Sequence, residues 1–207
     1  MKRCLFIVDM QEDFLPPNGA LAVNQGRDII PRINELAKSG EYDLTVMSRD
    51  WHPKGHISFA SAHAGAKAYE TVIDIKHPSG KGDIYKERLW PDHCVQGSSG
   101  ADFAPELDFA PDYIVNKAAD REIEQYSAFC DVWGITETEL DSYLKAQGVT
   151  DIDVVGVAYD YCVSSTARDA AKYGYKTRLI RDCTKAVDPA SIPTVEKQLT
   201  SAGVELV

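Results

Sequence analysis

Residues Asp153 to Gly174 read DVVGVAYDYCVSSTARDAAKYG, and the change of pattern inside them decides the fold. Val154, Val155 and Val157 form a short apolar run, the signature of a strand covered on both faces, and the run stops at Gly156. Ala167, Ala170 and Ala171 fall on one side of a helix that Gly174 can terminate. Between strand and helix, a polar turn delivers Cys162 to the helix start. Unpaired N–H groups and the positive end of the helix dipole there favour a thiolate over a thiol. A free cysteine is more often a small buried hydrophobe, so the position alone does not decide between packing and chemistry.

Outward from this unit the same alternation recurs. Cys4 to Val8 reads as a central strand ending at Asp9, and Leu44 to Met47 as a second strand followed by Asp50. Tyr113 to Val115 reads as a third strand, ending at Asn116 and Lys117. Ile152 to Val157 is the fourth and Thr177 to Ile180 the fifth, with Val204 to Val207 as a last short one. Helical spacing connects them over Ile29 to Ala37, Leu140 to Leu144 and Pro193 to Leu199; Thr136 with Glu139 reads as a capping box for the second of these. Strands alternating with helices imply a parallel sheet covered on both faces, an α/β fold in one domain spanning residues 1–207. The segment from Pro53 to Pro111 is less regular, and a loop of that length is expected to contain short strands or turns and to build a site.

Ligands of such sheets bind beyond the carboxyl ends of the strands, where Asp9, Asp50, Lys117 and Cys162 all fall. A carboxylate, a cation and a thiol are what covalent acyl transfer requires: Asp9 can take the thiol proton and Lys117 can stabilise the thiolate. The alternative is a structural ion pair between Asp9 and Lys117. In an extended segment Asp50 and His52 project to one side, and with His93 they could hold one ion while leaving positions open. His56 and His63 are alternates, and His77 reads as a loop residue. Phe14, Trp90, Tyr126 and Tyr161 lie beside these groups in sequence and could sandwich a flat ring. No GxGxxG or phosphate-binding loop supports nucleotide binding.

Composition narrows the partners. The chain has 207 residues, 44% hydrophobic and 26% charged, with a net charge of -10. Such a surface repels nucleic acid and anionic membrane, and no stretch approaches the roughly 20 apolar residues that span a bilayer. A small neutral or cationic partner fits better. The five cysteines are widely spaced and form no CxxC, arguing against a disulfide framework and for a reducing, cytoplasmic location. The oligomeric state stays open, a homo-oligomer included.

The strings FIVDMQEDF, SRDWHP, LWPDHCVQGSSGADF, NKAAD and GVAYDYCVSSTARDA together resemble the isochorismatase-like cysteine hydrolases, and within them the nicotinamidases, from Leu5 to about Val187. The resemblance implies a three-layer α/β/α fold with a six-stranded parallel sheet. It implies that Asp9, Lys117 and Cys162 are a catalytic triad and that Asp50, His52 and His93 bind a divalent ion, zinc foremost, with iron or manganese as alternatives. It further implies a cis peptide before Ala158, with the backbone N–H groups of Ala158 and Cys162 facing an oxyanion. The expected reaction is hydrolysis of nicotinamide to nicotinate and ammonia through a cysteine thioester, in NAD salvage. Tyr159 stands where many members have threonine, and Tyr161 where others have histidine. Competing expectations are another amidohydrolase of pyrazinamide-type amides, an isochorismatase, or a non-catalytic metal-binding or redox-sensing protein. Relatives that cleave isochorismate generally lack the full metal set.

Overall fold

The computed structural model describes residues 1–80 and 84–207. Its strands and helices, in chain order, are β1 (Lys2–Val8), α1 (Ile30–Lys38), β2 (Leu44–Asp50), β3 (Val72–Lys76), β4 (Ile84–Arg88), β5 (Tyr113–Lys117), α2 (Leu140–Gln147), β6 (Val149–Val157), α3 (Ser164–Lys172), β7 (Lys176–Lys185), α4 (Ile192–Ser201) and β8 (Glu205–Leu206). Six strands form one sheet in the order β5-β2-β1-β6-β7-β8, every neighbouring pair parallel. The irregular excursion contains the antiparallel hairpin β3–β4.

Alternation along β1 explains the layers. Cys4, Phe6 and Val8 enter one core with Leu140 and Leu144 of α2, Ala167 and Ala170 of α3, and Val195 and Leu199 of α4. Leu5 and Ile7 enter the other core with Ile30, Ile33 and Leu36 of α1. A strand alternates sides at every residue, so a run apolar at each position is buried on both. Each fully buried Leu, Ile or Phe contributes about 1.5–3 kcal/mol of apolar transfer, which is what anchors the central strand.

The chain runs outward from β1 to β2 and β5, then returns to the other side of β1 for β6. Strand order therefore reverses between β1 and β6, and a crevice opens at their carboxyl ends. Gly156 makes that crevice close-walled: it pairs with Val8, has φ of 111°, and a Cβ there would stand 2.1 Å from the Val8 carbonyl oxygen. Only glycine fits this approach.

Two sequence expectations change. Strands β2 and β5 run past their apolar residues, because the parallel ladder continues through Arg49↔Asn116 and Asp50↔Lys117. Asp50 and Lys117 are thus held in the last pair of the ladder rather than beyond it. The Thr136–Glu139 capping box does not form: α2 begins at Leu140, Glu139 makes no side-chain cap, and the Thr136 N–H is already bound by Asp131. Thr138 Oγ1 instead accepts from the Leu140 N–H at 3.2 Å.

Candidate active site

Lys117, fully buried at the end of β5, is the centre of the site. Its Nζ lies 3.0 Å from Asp9 Oδ2, 2.8 Å from Asp50 Oδ1 and 3.4 Å from Cys162 Sγ. Burial disfavours the ammonium, but the Asp50 and Asp9 charges outweigh it and hold the lysine pKa well above its usual value. Asp9 Oδ1 accepts from Ser48 Oγ at 2.7 Å, fixing the carboxylate. Oδ2 is buried without an aligned hydrogen bond, so the Lys117 contact is an ion pair that leaves a lone pair open. Burial, reinforced by Asp50, raises the Asp9 pKa against the pull of Lys117 and Ser48, which makes it a better proton acceptor than an exposed carboxylate.

Cys162 lies in an irregular turn of five residues, Tyr159–Val163, where Val163 N–H reaches back to the Ala158 carbonyl before α3 begins. The Val157–Ala158 peptide is cis. Only 6% of Cys162 is exposed. Burial drives its pKa well up, and Asp9 and Asp50 add to this while Lys117 opposes it. Desolvation thus opposes the field of the helix end, which is why the thiol needs Asp9 as proton acceptor and Lys117 as counter-charge.

Asp50 Oδ2 is 2.9 Å from His52 Nε2 and 3.5 Å from His93 Nε2, and among the described residues these three form a group able to hold a metal ion. Two donors at about 2.05 Å from one ion stand about 2.9 Å apart in octahedral and about 3.3 Å apart in tetrahedral geometry, so the spacing fits. The donor chemistry fits as well. His93 Nδ1 donates to the Pro91 carbonyl at 2.8 Å, which orients the ring and turns Nε2 towards Asp50. Burial lowers the His52 pKa, and the Asp50 charge opposes it. Asp50 stays ionised, its pKa held well below the carboxylate range because His52 and Lys117 outweigh the effect of burial. His56 is excluded from this group: its nitrogens already face Ser58 Oγ at 2.8 Å and the Ile123 carbonyl at 3.1 Å. His63 binds the Ile57 carbonyl at 2.7 Å, and His77 sits in a loop after β3 against Trp133.

One cavity joins both clusters. Phe14, Trp90, Tyr126 and Tyr161 line it together with Asp50, His52, His93, Lys117, Ala158 and Cys162. Phe14 packs against His93 with ring centres 5.3 Å apart, and Trp90 meets Tyr161 edge-on at 4.9 Å.

Several supporting residues escaped sequence reasoning. Gln11 clamps the Asp50 backbone, accepting from its N–H at 2.7 Å and donating to its carbonyl at 2.8 Å. Asp13 accepts from the Cys94 N–H at 2.7 Å and so fixes the neighbour of His93. Glu124 lines the cavity as well. Ser48 carried a usable signal, since it lies two residues before Asp50 in the same strand and shares its side. Asp9, Cys94 and Ala118 adopt φ of 47°, 47° and 55°. Each is a site residue or directly follows one, and a left-handed non-glycine backbone of this kind gathers where a site is held in place.

Residues 3–207 match the family model described as isochorismatase domain. The chain is 40% identical over 203 residues to a nicotinamidase of Acinetobacter baylyi, covering 97% of this chain and 90% of that protein. The solved structure of the yeast nicotinamidase superposes with a TM-score of 0.93 at 34% identity, covering 99% of each chain. The pyrazinamidase of Pyrococcus horikoshii in complex with zinc superposes with a TM-score of 0.77 at 35% identity, covering 100% of this chain and 99% of that one.

Proposed function

The chain belongs to the isochorismatase family, and from that premise we propose that it is a nicotinamidase, hydrolysing nicotinamide to nicotinate and ammonia through a thioester on Cys162. The observation that carries this reading is the meeting of Cys162 and Lys117 at the wall of an aromatic-lined cavity, with Asp9 paired to Lys117 behind it and the Asp50, His52 and His93 donors beside it.

In this reading Phe14, Trp90, Tyr126 and Tyr161 hold the pyridine ring, with the carboxamide carbon against Cys162 Sγ. Asp9 takes the thiol proton as sulfur attacks, and Lys117 stabilises the charge that develops on sulfur. The carbonyl electrons move to oxygen, where the N–H groups of Ala158 and Cys162 are the assigned donors; one such donor is worth roughly 3 kcal/mol of barrier. Asp9 returns the proton to nitrogen as the C–N bond breaks, releasing ammonia. Water then gives a proton to Asp9 and attacks the thioester carbon, the C–S bond breaks, and the proton returns to sulfur as nicotinate leaves. Asp50, His52 and His93 would hold a divalent ion, zinc by their mixed oxygen and nitrogen donors, which supplies a Lewis-acidic position for the ring nitrogen. The proposed substrate is a small amide handled inside the cell, in salvage of NAD.

The test is ammonia release from nicotinamide, pyrazinamide and benzamide, and pyruvate release from isochorismate, by wild type and Cys162→Ala. Nicotinamide turnover lost in the variant supports the reading; turnover of isochorismate alone overturns it.

A further inference from the structure

Glu87 is on β4, in the hairpin that the sequence left without a role. Strand alternation turns residues 84, 86 and 88 outward and Glu87 inward, where it is 1% exposed. A carboxyl group is seldom placed there without a polar partner. Its partners are two rings of the cavity wall. Tyr126 Oη donates to Glu87 Oε1 at 2.6 Å, and Trp90 Nε1 donates to the same oxygen at 3.1 Å while also reaching Tyr126 Oη at 3.0 Å. One oxygen thus ties together rings from two separate loops, and both press on the third ring, Tyr161, at 4.9 and 5.5 Å.

We propose that Glu87 is a positioning residue that fixes the spacing and tilt of the Trp90–Tyr126–Tyr161 wall, and through it selects a flat heteroaromatic ring as the part of the substrate that enters beside Cys162. The inference rests on the amide-hydrolase reading of this site. A ring held by packing alone can rotate about its side-chain torsions, whereas a Trp and a Tyr sharing one buried acceptor move only together. Burial raises the Glu87 pKa to about 9, Glu124 adds to the shift, and the bonds from Tyr126 and Trp90 oppose it. Only Oε1 makes these bonds while Oε2 has no partner among the described residues, so an amide whose oxygen takes the Oε1 place can replace the carboxyl. Glu87 touches no reacting atom in this scheme.

The experiment compares wild type, Glu87→Leu, Glu87→Gln, Tyr126→Phe and the Glu87→Leu/Tyr126→Phe double variant. Solvent exchange of the Trp90 indole N–H, followed by NMR, reports the wall whether or not the enzyme accepts nicotinamide. Exchange should quicken at least about tenfold in Glu87→Leu, the loss of one buried hydrogen bond, and return to within about threefold of wild type in Glu87→Gln. In steady state, Glu87→Leu should raise KM for nicotinamide about tenfold, while the midpoint of the pH profile for Cys162 alkylation by iodoacetamide, which reports Asp9 and Lys117, stays at its wild-type position. The double variant should be no worse than the poorer single variant, since both remove one linkage. Unchanged indole exchange in Glu87→Leu, or Glu87→Gln behaving as Glu87→Leu, overturns the inference. Absent nicotinamide turnover in wild type, with quickened indole exchange in Glu87→Leu, overturns only the substrate reading and leaves the wall-positioning role supported.

Discussion

Lys117 carries two duties because its single ammonium touches three groups: Asp9, Asp50 and Cys162. The first is structural. Removing one partner of a buried ionic cluster leaves the others uncompensated, at a cost of about 3–5 kcal/mol. Lys117→Ala should therefore melt well below wild type, as measured by calorimetry. The second is chemical. Lys117 is the group that lowers the Cys162 pKa, so its loss should move the alkylation profile of Cys162 to higher pH and cut turnover more than about a hundredfold. An unmoved profile would remove Lys117 from the role assigned to it. Asp50 extends the same logic. Its charge raises the Cys162 pKa, and its Oδ2 faces the two histidine donors. A cation held there offsets that charge, so chelation should slow iodoacetamide alkylation of Cys162 at neutral pH, and restoring the ion should reverse it. These groups were legible in sequence because strand ends can be read from apolar runs. The strength of their mutual effects was not, since desolvation depends on neighbours that only the fold assembles: the upward pull of burial on the Cys162 pKa has that origin.

At the scale of elements, β1 and β6 were readable as buried strands, and Gly156 as the end of a run; the reason for a glycine was not. Its Cβ would meet the Val8 backbone, the residue before Asp9. Gly156→Ala should push β1 from β6 at the point where Asp9 and Cys162 leave the sheet, lowering both melting temperature and turnover. Turnover kept at the wild-type level would show that the close approach is dispensable. The capping box failed because Asp131 engages the Thr136 N–H, a partner five residues away that a local motif does not weigh. The hairpin β3–β4 was anticipated only as short strands within a long excursion. Its buried Glu87 has a measurable signature. The folded pKa of about 9 lies above the ordinary carboxylate value, so the native state binds a proton the unfolded state has lost. That contribution is whole at acid pH and declines as pH rises toward 9. Glu124, Tyr126 and Tyr85 face the same carboxyl, and only Glu87 is changed in the test. Glu87→Gln should gain on wild type steadily in denaturant melts between about pH 5 and 9; parallel curves would refute the raised pKa.

Across the whole molecule, the order of strands rather than any one motif brings the chemistry together. The reversal between β1 and β6 sets Asp9 beside Cys162, while β2 and β5 bring Asp50 and Lys117 to the same edge. The excursion after β2 then supplies His93 and Trp90, and the segment after β5 supplies Tyr126, to close the cavity. The alternation of strands and helices made this sheet predictable, whereas the route by which the irregular segments fold back over its edge left no periodic trace. In the proposed reaction, nicotinoyl is carried on Cys162 between loss of ammonia and arrival of water. Mass spectrometry of acid-quenched nicotinamide turnover should find a nicotinoyl adduct on the peptide containing Cys162, absent from Cys4, Cys94, Cys130 and Cys183 and absent altogether in Asp9→Asn. Full turnover by Cys162→Ala in the same assay, or an adduct on another cysteine with Cys162 unmodified, would contradict the proposed reaction.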